Sequence, residues 1–231
     1  MEAATKAARW QRRKEARPNE ILDAALACFA ERGFSATRVD DVAARAGVTK
    51  GTLYLYFSGK EELLKALVRQ SIIPNIERAE ALVAAEDEPC AVILQRILQL
   101  WAHAITAPQS AIPKIMIADA GNFPELARFY LEEVASRGMG VVANLLRKGI
   151  ARGEFRPLDI DHTVFSIISP MLFAMLWRHS LGRHDKRRID AATLGQAHFD
   201  LICRGLLADG DAARTPCLIP NPPRGHEDGT P

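Results

Sequence analysis

Several features that mark other classes of protein are scarce or absent in this chain. Its 231 residues include four cysteines, which lie far apart without a C-x-x-C pair, so neither a disulfide framework nor a zinc site is indicated. The phosphate-binding patterns G-x-x-x-x-G-K-[ST] and G-x-G-x-x-G are missing, which leaves nucleotide binding without support. We therefore expect no cofactor and no metal. Catalysis is not expected either, because no nucleophile or ligand set stands out.

Long apolar runs and a large net charge are also lacking. The most apolar stretch, 164–177, contains two serines and a proline and is shorter than the roughly 20 residues that span a bilayer. We interpret it as a buried helix, and we expect a cytoplasmic protein with no membrane partner. The net charge is +2, yet residues 5–18 carry six basic side chains and one acidic side chain. Such a basic segment favours an anionic partner at the N-terminus.

Helical periodicity is present instead, with apolar residues recurring at spacings of three and four. We predict an all-α fold, in which an N-terminal three-helix helix-turn-helix domain precedes a larger helical domain. The predicted divisions are a basic flexible arm at 1–17, the helix-turn-helix at 18–66, the larger domain at 67–208 and a disordered tail at 209–231. Within the larger domain the expected helices are 90–106, 109–120, 124–152, 160–181 and 189–207. A helix at 59–82, kinked at Pro74, connects the two domains.

The segment from Thr37 to Lys60 carries the clearest local signals. Thr37, Thr49 and Ser58 each stand where a polar side chain can cap the helix that follows. Only residues 47–49 separate the second helix from the third. A turn of that length with a glycine is typical of a helix-turn-helix.

The third helix, predicted from Lys50 to about Tyr56, has an unusual outward face. At about 100° per residue, Leu53 and Phe57 must face the core. The residues that then point outward or lie on the flanks are Gly51, Thr52, Tyr54 and Leu55. A glycine permits close approach, hydroxyls can bond phosphate, and leucine can contact a thymine methyl group. One alternative is that the aromatic residues are simply core, but the caps, the short turn and the basic segment together favour double-stranded DNA.

The sequences ILDAA at 21–25, FAERGF at 29–34 and AARAGVTKGTLYLYFSGKEEL at 43–63 together resemble the DNA-binding domain of TetR-family transcriptional repressors. The resemblance covers about residues 20–67. It implies an all-helical homodimer that binds operator DNA and has a C-terminal ligand-binding domain. Carried over by position, the family's DNA contacts fall on Thr37, Arg38, Lys50, Gly51, Thr52, Tyr54, Leu55, Tyr56 and Lys60. Leu55 stands where many relatives have a polar or aromatic residue, and Tyr56 lies on the core side of the helical wheel.

The C-terminal half contains large apolar side chains that can line a cavity for a flat, lipophilic effector. The predicted effector-site residues are Trp101, Met116, Phe129, Phe165, Met171, Met175 and Trp177. The alternative for each is an ordinary core position. The run AGNFPELA at 120–127 resembles the AefR-like subgroup of TetR-type C-terminal domains, which also favours a lipophilic effector.

Helices 160–181 and 189–207 are apolar on more than one face, so we expect them to form a four-helix dimer interface. The alternative is that both are buried within one subunit. The combined prediction is a ligand-responsive, dimeric transcriptional repressor that binds a palindromic operator and is released by a small apolar effector. Two alternatives remain. One is a DNA-binding protein without an effector, and the other is a small helical enzyme with a titrating pair in its pocket.

Overall fold

A computed structural model gives the structure of the protein, describing residues 2–85, 88–186 and 189–208, with side chains described from Arg17 onward. Apart from one antiparallel bridge between Phe155 and Leu207, these residues form helices and turns. The helices are α1 Glu2–Arg32, α2 Val39–Arg45, α3 Lys50–Tyr54, α4 Lys60–Ser71, α5 Ile73–Ala84, α6 Cys90–Thr106, α7 Ile112–Asp119, α8 Pro124–Tyr130, α9 Arg137–Ala151, α10 Ile160–Arg178 and α11 Ala191–Leu206. The all-α prediction is confirmed. The predicted tail at 209–231 lies outside the described residues.

The first helix is longer than the sequence analysis predicted. Its backbone continues to Glu2, through the segment 1–17 where a flexible arm was expected. Residues 2–17 contain no glycine or proline and consist largely of alanine, arginine, lysine and glutamate, all of which favour a helix. The side chains of residues 1–16 lie outside the described residues.

Helices α1 to α4 form the helix-turn-helix domain, which we call the reading head. Gly33 and Gly47, with φ of +85° and +65°, occupy the left-handed region that glycine tolerates, and they follow the ends of α1 and α2 as predicted. The predicted cap at Thr49 is confirmed, since its Oγ1 accepts from the Thr52 amide at 3.1 Å. The caps predicted at Thr37 and Ser58 are wrong by one residue, because Arg38 and Gly59 occupy the two N-cap positions.

Two predicted helices are interrupted. The connecting helix is divided between Ser71 and Ile73, with Pro74 in the first turn of α5, where its missing amide is not needed. The predicted helix 124–152 widens into π-helical geometry over Leu131–Ser136, between α8 and α9. Single π turns of this kind commonly mark functional positions in helices.

The two domains share part of their interior. The second domain has its own core, formed by α5, α6, α9, α10 and α11. Ile112, Ile115 and Met116 of α7, however, are buried in the core of the reading head. Phe123 meets Phe34 edge to face, with ring centroids 4.8 Å apart. The interior is therefore continuous from the reading head into α7 and the start of α8.

By length and composition alone, helix α10 is long and apolar enough to cross a membrane, since its most apolar 18 residues have a mean hydropathy of 1.4. Only 22% of that stretch is buried inside the structure. The prediction of a buried helix at 164–177 is therefore wrong for the single chain. Phe165 is 62% exposed, and Phe173 is also exposed. Burial within one subunit is excluded for this face of α10, because Phe165 and Phe173 lie on its solvent side.

Candidate DNA-binding and effector sites

Helix α3 presents the outward face that its sequence predicts. Leu53 and Phe57 are buried in the reading head, whereas Leu55 is 81% exposed and Tyr54 is 48% exposed. Gly51 is also exposed. An added Cβ at Gly51 would meet only Thr49 Oγ1, at 3.9 Å. The core holds one side of the helix, and the other side is free for a partner.

Ion pairs connect α2 to α1 in the reading head. Arg45 donates to both carboxylate oxygens of Glu31, at 2.6 and 2.7 Å, and this hydrogen bonding lowers the pKa of Glu31. Arg32 pairs with Asp41 at 2.9 Å. Because all four side chains are at least partly exposed, each pair adds little stability. Their effect is to orient α2, and through the short turn at Gly47, α3.

Two basic candidates lie on the surface of the reading head. Arg38 is exposed. Lys50, also exposed, pairs with Asp40 Oδ2 at 2.9 Å, and this hydrogen bond raises the pKa of Lys50. Lys50 is the first residue of α3, and Arg38 is the N-cap residue of α2.

Three predicted contact residues are placed differently. Thr37 is 1% exposed, and its hydroxyl donates to the Gly33 carbonyl at 2.7 Å, so its side chain is part of the core. Lys60 Nζ donates to the carbonyl oxygens of Phe34 and Ser35, both at 3.1 Å. It therefore closes the loop after α1 instead of lying free at the start of α4. Tyr56 is half-buried and packs against the core of the reading head.

The second domain contains a cavity of about 500 Å³, which lies in the usual range for small-molecule sites. Five of the seven predicted effector-site residues line it: Trp101, Met116, Phe165, Met171 and Met175. The lining residues that the prediction missed include Asn75, Gln109, Tyr130, Leu131 and Met139. The prediction selected large apolar side chains, whereas Asn75, Gln109 and Tyr130 carry polar groups and Leu131 lies on the π turn.

Phe129 and Trp177 were predicted to line the cavity, and the structure places both elsewhere. The Phe129 ring lies beneath the cations of Lys65 and Arg69, at 5.6 and 5.1 Å, on the side facing α4. Trp177 packs beside Phe173, with ring centroids 5.8 Å apart, and its indole nitrogen is buried without a hydrogen-bond partner among the described residues. Phe129 on α8 and Trp177 on α10 lie on sides of their helices that do not face the cavity.

One edge of the cavity has a neutral histidine behind it. His179 Nε2 lies 2.7 Å from the hydroxyl of Ser110, which lines the cavity. Burial, with the nearby cations of Arg178, Arg183 and Lys114, lowers the pKa of His179 to about 4. The imidazole is therefore uncharged at neutral pH.

A helix-turn-helix with one face free, joined to a helical domain that contains an apolar cavity, defines a helix-turn-helix transcription regulator. Comparison with known proteins agrees. Residues 21–67 match the family model described as "Bacterial regulatory proteins, tetR family", and residues 93–193 match that described as "Tetracyclin repressor-like, C-terminal domain". The chain belongs to the TetR family of transcription regulators and is not an enzyme.

Relatives support the assignment along most of the chain. The transcriptional repressor KstR2 of Mycobacterium tuberculosis is 29% identical over 198 residues, which cover 84% of this chain and 94% of the relative. The fatty acid metabolism regulator protein of Bacillus subtilis is 32% identical over 155 residues, covering 64% of this chain and 76% of the relative. The structure of KstR2, described as a ketosteroid transcriptional regulator, superposes with a TM-score of 0.69 and covers 84% of this chain and 96% of that chain.

Proposed function

We propose that this protein is a dimeric repressor that binds a palindromic operator through α3 and is released when a small lipophilic effector fills the cavity. The observation that carries the proposal is the outward face of α3, where Tyr54 and the adjoining Leu55 stay exposed although Leu53 and Phe57 are buried in the core. An apolar side chain exposed beside cations suits the major groove, where thymine methyl groups lie between phosphates.

The contact surface we propose contains Arg38, Lys50, Gly51, Thr52, Tyr54 and Leu55. Thr37 is left out because its side chain is buried, and Lys60 and Tyr56 act by holding the reading head together. In a twofold dimer the two α3 helices would enter successive major grooves, roughly 34–36 Å apart. The basic residues at 5–18 would add affinity that does not depend on sequence.

Dimerisation through α10 and α11 is supported by the apolar surface that the single chain leaves uncovered. On α10 this surface includes Phe165 and Phe173, and on α11 Leu201 is 74% exposed. Two helices from each subunit would form an isologous four-helix interface. A second copy, and not a bilayer, is the partner we propose for α10, since a DNA-binding regulator acts in the cytoplasm.

Effector control is favoured over the effector-free alternative because the second domain is not fully packed. A cavity of about 500 Å³ leaves its lining without the contacts that a filled core would supply. The names of two relatives, a ketosteroid regulator and a fatty acid metabolism regulator, support a lipophilic molecule as its occupant.

Met116 connects the cavity to the reading head. It lines the cavity and is buried in the core of the reading head with Phe29 and Phe34. An effector that displaces Met116 would move α7 against this core and change the spacing of the two reading heads. One arrangement of the reading heads binds the operator and the other binds the effector better. Operator affinity would then fall by at most the ratio of the effector's affinities for these two arrangements.

The proposal is tested by selecting bound duplexes from a random DNA pool and measuring their affinity for variants of the full chain. Leu55→Ala should weaken operator binding about five- to tenfold, the equivalent of roughly 1 kcal/mol for a lost apolar contact. Leu181→Ala, the same substitution at an exposed position of the second domain, is the matched control. The proposal would be contradicted if the selected duplexes shared no consensus sequence. It would also be contradicted if both variants and the unchanged protein bound the operator with equal affinity.

A further inference from the structure

The lining of the cavity contains no charged side chain. Among the described residues that form it there is no aspartate, glutamate, lysine, arginine or histidine. The Lys114 ammonium, close by, donates to the His179 carbonyl oxygen at 2.7 Å, and the His179 ring stands behind Ser110. A carboxylate inside the cavity would lose its hydration without gaining an ion partner, which is costly.

Three polar side chains of the lining are already used within the protein. Ser110 Oγ donates to the Ala107 carbonyl and Ser169 Oγ to the Phe165 carbonyl, each at 2.6 Å. The amide of Asn75 donates to the Ser71 carbonyl at 3.1 Å. These groups therefore have little capacity left to choose between ligands.

Tyr130 differs from them. It lines the cavity at the junction of α8 and the π turn, and no hydrogen bond joins its hydroxyl to any described residue. That hydroxyl is not among the fully enclosed groups that lack a partner, unlike Trp177 Nε1, so a small molecule can reach it. Because Tyr130 lines the cavity, we infer that the hydroxyl is reached from there.

Burial raises the pKa of Tyr130, so its phenol remains protonated and can donate a hydrogen bond. A hydrogen-bond donor that faces an apolar cavity and has no acceptor in the protein favours ligands that supply an acceptor. A ligand that lacks an acceptor leaves the hydroxyl unsatisfied.

We propose that the cavity binds an uncharged lipophile carrying a carbonyl oxygen, which accepts a hydrogen bond from the hydroxyl of Tyr130. This inference rests on the proposed function, in that it treats the cavity as the effector site. It deepens that proposal by excluding free carboxylic acids and pure hydrocarbons as the preferred class. The π turn beside Tyr130 places the donor at the wall formed by Leu131 and Val134.

The test uses the full-length protein and the environment-sensitive dye N-phenyl-1-naphthylamine, which is itself uncharged and apolar. Two competitors of equal chain length, 2-dodecanone and dodecanoate, are each titrated against the bound dye. The titrations are made at about pH 8, where the acid is ionised. We expect the ketone to displace the dye at concentrations about tenfold lower or more. Equal or better displacement by dodecanoate would overturn the inference.

Variants then assign the selectivity to one hydroxyl. Tyr130→Phe should weaken binding of 2-dodecanone about five- to tenfold. Tyr56→Phe, the same substitution at a tyrosine that packs against the core of the reading head and does not line the cavity, should leave it unchanged. Unchanged ketone affinity in Tyr130→Phe would overturn the assignment of the donor. If that variant failed to fold, the comparison of ketone with acid on the unchanged protein would still decide the ligand class.

Operator binding measured in the same samples separates the two proposals. If neither dye nor ketone binds while operator DNA is bound normally, the effector part of the proposed function fails, and this inference fails with it. If the acid is preferred and its binding releases the operator, the effector site stands and only the ligand class proposed here is wrong.

Discussion

Replacing Gly51 with alanine should raise stability and lower operator affinity in the same protein. Gly51 lies in the first turn of α3, and the added Cβ would meet only Thr49 Oγ1, at 3.9 Å, an ordinary van der Waals distance. Because alanine loses less backbone entropy in a helix, the free energy of unfolding should rise by about 0.5 kcal/mol or more. For a chain of this length that corresponds to roughly 1–3 °C in Tm.

The same methyl group would lie on the face that we propose approaches DNA most closely. An extra carbon at a packed interface costs about 1–3 kcal/mol, so operator affinity should fall roughly fivefold to a hundredfold. Affinity is measured by fluorescence anisotropy with the selected operator, and Tm by calorimetry. Gly140→Ala is the control, since Gly140 is also helical and an added Cβ there meets nothing within 4 Å. Unchanged operator affinity in Gly51→Ala would refute the placement of α3 against DNA.

Two other outcomes are expected. Leu201→Glu should convert the dimer to a monomer in analytical ultracentrifugation, because it places a charge in the proposed interface. Leu55→Glu, at an exposed leucine of the reading head, should not. An unchanged dimer in Leu201→Glu would place the interface elsewhere. The free energy of unfolding should fall as the pH drops from about 6.5 towards 4. In this range His179 takes up a proton in the unfolded chain but not in the folded protein, where burial lowers its pKa to about 4. His179→Gln should flatten this part of the curve, and equal slopes for both proteins between these pH values would contradict the burial effect.

Elements that depend on neighbouring residues were predictable. The ends of α1 and α2 at Gly33 and Gly47, and the cap at Thr49, follow from preferences that act within a few residues. The outward direction of Leu55 follows from its helical angle to Leu53. Apolar periodicity also placed the starts of α6, α8 and α10 at their observed residues, although it did not predict the π turn within 124–152.

Features that depend on distant parts of the chain were not predictable. The ammonium of Lys60 bonds the Phe34 carbonyl, 26 residues away. The hydroxyl of Thr37 bonds the Gly33 carbonyl, four residues before it, but its burial is set by the surrounding core. Residue type identified most of the apolar lining. It could not exclude Phe129 and Trp177, because the rotation of α8 and α10 against their neighbours decides which side faces the cavity.

Helical spacing in the amino-acid sequence was enough to predict most of the helices, their order and the free face of α3, because that spacing fixes which residues share a side. Three properties became visible only in the packed chain: Met116 belongs to two interiors, the described lining of the cavity is uncharged, and α10 keeps an apolar face outside. These properties come from packing between helices, where the positions of many distant side chains are set together.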